Sequence, residues 1–306
     1  AAMVRAAGPP PEVAERLDHV ARHPRHVDPA TLEALADLLA AQRRLEDSIG
    51  SAAVIAPVRA QLDAVRALAA EARCSLRHQL IDLAAQWAQF CGWLYAASGR
   101  SGEAGRWYHQ AMEWATEVNN RDLLGTVLSF RGYLAEVGQQ YGTAIGLSRA
   151  AWRDPTVYAG QRAYSAGQEA RGLALAGAAQ SEVLAALDRA AEYIAQQDPA
   201  VAPPWGYFYT PAFFACQRGI VHRHLGQYEH AVTHLTAGLG EPPAVGTRPE
   251  WAGPYLVHLA VSLAAIGERD QAGTVLDEAW AVAEATGSVV LSGRVRAAVR
   301  GLSARR

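Results

Sequence analysis

Seven side chains between residues 86 and 223 are of types that suit recognition of a peptide backbone or a carboxylate. Glutamine both donates and accepts hydrogen bonds, and the guanidinium of arginine can donate to two oxygens at once. The seven residues are Gln86, Gln89, Trp93, Arg131, Tyr164, Arg171 and Arg223. The repeat described below places six of them on the inner face of a helical array and Arg131 close to that face. We therefore predict a ligand or peptide groove, and an exposed, solvated polar face is the equally weighted alternative.

An aromatic segment bounded by prolines interrupts the helical pattern at residues 203–211. Its rings include Trp205, Tyr207 and Tyr209, and Trp251 follows a second loop that is rich in proline and glycine. One hypothesis is that these rings form a lid or wall over a ligand. Because large aromatic side chains usually belong to a core, a structural cover for an exposed helix end is the favoured interpretation.

Residue patterns of catalysis and of metal binding are missing from the sequence. It contains no GxSxG, no P-loop and no GxGxxG followed by an acidic residue. His230 and His234 stand four residues apart, with His222 and His224 shortly before them, but zinc usually takes three or four ligands and HExxH is absent. We therefore predict no catalytic residue, no metal and no cofactor, and we rank an enzyme built on the helical array last.

The composition excludes other classes of protein. The chain has 306 residues and a formal net charge of -2, and it contains no lysine. This near-neutral balance argues against a chain that binds nucleic acid by itself. No apolar run approaches the roughly 18 residues of a membrane span. Three cysteines without a CxxC pair fit a reducing compartment, so we expect a cytoplasmic location without membrane contact.

Alanine, leucine, arginine and glutamate dominate the sequence, which predicts an all-α protein. A first long helix should follow Asp28 and Pro29 and end before Gly50, because aspartate caps helices and proline suits their first position. The next helix should hold Pro57 in its first turn, where proline is tolerated. A third helix should span residues 75–97.

Glycines recur between helical runs at intervals close to the length of a two-helix repeat. They are Gly99, Gly138, Gly177, Gly226 and Gly267, separated by 39, 39, 49 and 41 residues. The offsets of a tetratricopeptide unit are matched by Gly92, Tyr95, Gly99, Ala104, Tyr108 and Ala111, by Gly219, Gly226, Tyr228, Ala231 and Leu235, and by Leu259, Gly267, Ala272, Leu276 and Ala279. The first glycine of a unit should let two helices approach, and the second should form the turn between them.

This periodicity divides the chain into three parts. Residues 1–28 are predicted to be a linker or arm, and residues 29–75 an N-terminal helical pair. Residues 76–306 should form about five tetratricopeptide-like helix pairs, interrupted by loops near 200–212 and 240–253. Because one pair cannot bury its apolar face alone, the pairs should stack into a right-handed superhelical array of antiparallel helices.

Two parts of the chain resemble a known family. They are residues 16–28, 43–50 and 58–62 in the first part, and residues 83–122 in the second, with Gln86, Gly92, Trp93, Leu94, Arg106 and Ala111 in a familiar arrangement. They resemble the C-terminal tetratricopeptide (TPR) sensor region of actinobacterial Cro/C1 (XRE)-type helix-turn-helix transcriptional regulators. The helix-turn-helix module of that family is not visible here, because residues 1–28 are too short for its helices.

The resemblance implies a regulatory or sensor domain whose concave groove binds a peptide, a small metabolite or a protein segment. DNA would then be contacted only through a helix-turn-helix module. The alternative is a protein–protein scaffold or a dimerisation module without a small ligand, for which a second copy of the chain is a candidate partner.

Overall fold

The computed structural model describes residues 11–23, 26–72, 75–243 and 246–303. Its α-helices are α1 Pro11–Arg22, α2 Pro29–Ile49, α3 Ser51–Glu71, α4 Ser75–Ala97, α5 Ser101–Glu117, α6 Arg121–Val137, α7 Tyr141–Arg153, α8 Ala159–Leu175, α9 Gln180–Ala195, α10 Pro211–His224, α11 Tyr228–Leu239, α12 Ala252–Ala265, α13 Arg269–Thr286 and α14 Val289–Ser303. No β-strand occurs in the described ranges, so the all-α prediction is confirmed. Within those ranges no helix is both long enough and apolar enough to cross a bilayer.

Consecutive helices run antiparallel and pack on one another, as a two-helix repeat requires. The exception is the pair α9 and α10, which make few contacts because the aromatic segment lies between them. Helices α4, α6, α8, α10 and α12 also contact one another in order, and we call them the inner layer. The predicted array of antiparallel helix pairs is therefore confirmed.

Small residues allow the close helix contacts that the repeat offsets predict. A Cβ atom at Gly92 would lie 2.3 Å from Cε1 of Tyr108, and one at Gly219 would lie 2.6 Å from Cγ of Leu235. Both distances are far below any ordinary contact between side chains. In these two units the glycine therefore creates the space that the bulky residue sixteen positions later fills.

Four of the five recurring glycines have a positive φ in turns between helices. They are Gly99, Gly177, Gly226 and Gly267, with φ values of 76°, 75°, 73° and 95°. Gly138 also lies in a turn, between α6 and α7, as the spacing predicts. Its φ is -79°, however, and the next residue, Gln139, has the positive φ of 59°. Gly138 thus takes the place that Ser98 has in the first unit.

The first long helix, α2, begins where the sequence predicts. The Asp28 carboxylate accepts a hydrogen bond from the backbone N–H of Thr31 at 2.8 Å, and Pro29 is the first residue of α2. The described part of the arm forms α1, whose Val20 is buried in the same core as Leu39. This end of the chain therefore belongs to the packed array.

Pro57 has a different position from the one predicted. Helix α3 begins at Ser51, directly after Gly50, whose φ of 89° breaks the helical path. Pro57 is therefore beyond the first turn, and the prediction for it is wrong. Proline is tolerated in the first turn of a helix, but Gly50 determines where α3 starts.

Gly92→Ala should lower the free energy of unfolding, because the new Cβ would lie 2.3 Å from the Tyr108 ring and strain of this kind costs about 1–3 kcal/mol. Gly105→Ala is the matched control, since Gly105 also lies inside a helix and a Cβ there meets no atom within 4 Å. The control should stabilise by about 0.5–1 kcal/mol. Urea denaturation measures both changes, and equal effects would contradict the close packing.

Candidate binding groove

A groove of about 1250 Å³ runs along the inner layer of helices. All five inner-layer helices contribute side chains to it, together with α2, α13, α14 and the aromatic segment. We call its two ends the α2 end and the α14 end. The walls are largely aromatic and aliphatic, with charged groups at both ends and at one point of the floor.

Eight of the eleven residues predicted for the groove or lid line this groove. They are Gln89, Trp93, Tyr164, Arg171, Arg223, Trp205, Tyr207 and Trp251. Gln86 instead donates a hydrogen bond within its own helix at 2.8 Å, and Nη1 of Arg131 contacts Sδ of Met112 at 3.5 Å. Tyr209 is buried, and its hydroxyl donates to the side chain of Gln161.

A chain of buried hydrogen bonds, the floor chain, joins four inner-layer helices. From α8, Arg171 donates to Oε2 of Glu136 on α6 and to Oε1 of Gln217 on α10, both at 2.6 Å. The Gln217 amide donates to the hydroxyl of Tyr255 on α12 at 2.6 Å. Burial lowers the pKa of Arg171, but the charge of Glu136 and its hydrogen bond outweigh burial and raise that pKa above its ordinary value. Arg171 is therefore committed to internal partners, although it lines the groove.

The α2 end of the groove contains a buried carboxylate, that of Glu46. Its Oε1 accepts hydrogen bonds from Oγ of Ser51 at 2.5 Å and from the indole N–H of Trp93 at 3.1 Å. Burial raises the pKa of Glu46 to about 7, although both hydrogen bonds lower it. The Trp93 ring is thus oriented by an internal acceptor.

The aromatic segment both covers the helices and forms part of the groove wall. Trp205 is 4% exposed, and its indole N–H donates to Oγ1 of Thr126 at 2.9 Å. Its ring centre lies 6.0 Å from the guanidinium carbon of Arg43, within reach of a cation–π contact. Tyr207 is 46% exposed and donates to Oδ2 of Asp47 at 3.0 Å. Trp205 therefore acts as a structural cover, whereas Tyr207 is a wall residue accessible to a ligand.

The two ends of the helical array meet at a small interface that we call the seam. The backbone N–H of Ser51 donates to Oε2 of Glu250 at 2.7 Å, across 199 residues of sequence. A Cβ at Gly99 would lie 2.9 Å from Cγ2 of Val290, so the turn after α4 touches the start of α14. The array therefore curves until its early part, at Ser51 and Gly99, is in contact with its late part, at Glu250 and Val290.

The α14 end of the groove is basic. Arg223 and His224 end α10, His258 lies on α12 and Arg294 on α14. Nη1 of Arg223 lies 3.0 Å from Nδ1 of His258, to which it can donate. Burial, together with the charges of Arg223 and Arg171, lowers the pKa of His224 to about 4.

The predicted set lacks many residues that line the groove, among them Glu46, His224, His258 and Arg294. Arg223 and His258 are 35 residues apart, close to the repeat length, so the periodicity contains the information that would pair them. Glu46 lies on α2 and Arg294 on α14, and no periodic pattern relates those two helices to each other.

A second histidine cluster contains three of the four residues considered above as possible zinc ligands. The ring of His222 lies 5.4 Å from that of His230 and 5.2 Å from that of His234, centre to centre. Nδ1 of His222 pairs with Oε1 of Gln227 at 2.6 Å. Among the described residues, no three histidine, cysteine, aspartate or glutamate side chains are arranged to hold a metal ion.

No protein-family model matches the sequence, and no curated protein matches it. Among solved structures, the chain is similar to the crystal structure of BtubC (BKLC) from P. vanneervenii. The two share 16% sequence identity with a TM-score of 0.48, over 81% of this chain and 91% of that one.

Arg171→Met should lower the free energy of unfolding by about 3 kcal/mol, because it leaves the largely buried Glu136 carboxylate without its partner. Adding Glu136→Gln should recover part of the loss. Arg77→Met is the control, since Arg77 pairs with Glu117 at an exposed site where ion pairs contribute less than about 1 kcal/mol. Urea denaturation compares the variants. A loss no larger than in the control would contradict the role of the floor chain.

The raised pKa of Glu46 makes stability depend on pH. Between the ordinary value of 4.5 and about 7, the folded protein binds a proton that the unfolded chain releases. Its stabilising contribution is therefore complete below pH 4.5 and lost as pH rises through 7, by about 2–3 kcal/mol at most. Urea titrations from pH 5 to 8 should show this decline, and Glu46→Gln should remove it. Glu33→Gln, at an exposed position of α2, should leave the decline unchanged.

Proposed function

We propose that this protein is a regulatory sensor module that binds an extended peptide or a segment of a partner protein in its groove. The observation that carries the proposal is the groove itself, about 1250 Å³ along five consecutive inner-layer helices. Pockets for small molecules usually have volumes of about 300–1000 Å³. A longer, open channel along stacked helix pairs suits an extended chain.

The side chains of the groove support binding of a peptide. Tyr207 and Trp251 are partly exposed rings that a ligand side chain can contact. Gln89 adds an amide that both donates and accepts hydrogen bonds, as a peptide backbone requires. Apolar walls with a few fixed polar groups are typical of binding sites.

Three of the four carboxylates of the groove favour binding over catalysis. Glu136 is paired with Arg171, Glu46 with Trp93 and Asp47 with Tyr207. A general acid or base has to be free to exchange a proton with a substrate. These three groups are engaged in internal hydrogen bonds.

A regulatory role is supported by the resemblance to the sensor region of Cro/C1-type regulators. A ligand acts as a signal only if it binds two shapes of the protein with different affinity. The seam is a small interface whose closure depends on the curvature of the array, so occupation of the groove would act on it directly. DNA contact would come from a helix-turn-helix module.

Selection from a displayed peptide library tests the proposed function. Bound peptides should compete for one site, and Ala265→Trp should weaken them at least tenfold, because Ala265 is an exposed residue of the groove wall. Ala67→Trp, at an exposed position of α3 outside the groove, is the matched control. Affinities are measured by fluorescence anisotropy. Peptides that bind equally to both variants, or a library without binders, would contradict the proposal.

A further inference from the structure

We propose that the α14 end of the groove is an anion-binding subsite for a phosphate or carboxylate group, formed by Arg223, His224, His258 and Arg294. The inference rests on the proposed function, because it names the chemistry of one part of the ligand. It also gives the ligand a direction in the groove, with its anionic group at this end.

Geometry brings the four side chains together from three helices. All four line the groove, and Arg223 and His258 are joined by the contact of 3.0 Å between Nη1 and Nδ1. The rings of His224 and His258 meet edge to face, with centres 5.8 Å apart. Donor groups from separate elements thus converge on one point of the groove.

The charge around this point is positive and uncompensated. The groups that act on the ionisation of His258, after burial, are Arg223, His224, Arg294 and Arg171, and all lower its pKa. Of these, Arg171 is neutralised by Glu136. In the described part of the chain, neither Arg223 nor Arg294 forms an ion pair with a carboxylate.

Arg223 also has a hydrogen-bond donor without a partner among the described residues. Its Nε is buried and has no hydrogen-bond partner among the described residues, which is a costly state for a charged group. Burial also lowers the pKa of Arg223. A bound anion would supply the negative charge that Arg223 lacks, and arginine forks suit phosphate and carboxylate oxygens.

The opposite end of the groove is less favourable for the same group. Two carboxylates, Glu46 and Asp47, lie at the α2 end beside the single cation Arg43, and the seam residue Glu250 is close to Glu46. The other acidic residues of the groove are Glu136, which is paired with Arg171, and Asp277, which is exposed to water. A ligand with one anionic group is therefore expected to place that group at the α14 end.

Titration of the full chain with inorganic phosphate and, separately, with succinate tests the subsite. Chloride keeps the ionic strength constant, calorimetry measures affinity, and ring-nitrogen NMR follows the histidines. We expect saturable binding of at least one anion and an increase of the pKa of His224 from about 4, because a bound anion stabilises the imidazolium. Binding of phosphate alone assigns a phosphate group, and binding of succinate alone assigns a carboxylate.

Variants locate the binding. Arg223→Gln combined with Arg294→Gln should weaken the anion at least tenfold, and Arg294→Gln alone gives a readout if the double variant loses its helical circular dichroism. Arg300→Gln removes the same charge from an exposed position of α14 and should have no effect. Absence of binding for both anions, or equal weakening by Arg300→Gln, overturns the subsite. If library peptides still bind the groove in that case, the subsite fails while the proposed function stands.

Discussion

The buried ion pair between Arg171 and Glu136 is the interaction on which the groove depends. Charges removed from water are costly unless hydrogen bonds satisfy them, and the second donor of Arg171 reaches Gln217, which in turn reaches Tyr255. The spacing of four inner-layer helices is thereby determined by directional bonds, which an apolar floor would not provide. Fixed walls lower the ordering cost that a ligand has to overcome on binding.

The aromatic segment solves a problem that the interruption of the repeat creates. Helices α9 and α10 make few contacts with each other, because the aromatic segment lies between them. Buried rings of that segment cover the inner-layer helices at this point. Trp205 reaches back to α6 through Thr126, while Tyr207 reaches α2 through Asp47. The insertion therefore connects early helices to late ones, and it narrows the α2 end of the groove.

The separation in sequence between two interacting residues determines whether their contact could be predicted. Gly92 and Tyr108 belong to one unit, so the repeat offsets alone predict their contact and, with it, the helix pairs. Gly138 marks the limit of that method, because the residue with positive φ in its turn is the following Gln139 and not the glycine. The seam and the α14 end of the groove combine residues that are far apart in the sequence, such as Ser51 and Glu250 at the seam. No local sequence pattern indicates such pairs. The residues of the groove walls could therefore be predicted more fully than those at the two ends of the groove.

Because of the seam, this repeat array differs from an open one. An open repeat array is a line: each unit contacts only its neighbours, stability is a sum along the line, and the outermost units fray first. In this array Ser51 contacts Glu250 and the turn at Gly99 contacts Val290, so units far apart in sequence are joined as well. A change of angle between neighbouring units therefore has to be accommodated at the seam. The helices between these contacts are consequently coupled to one another both through their neighbours and through the seam.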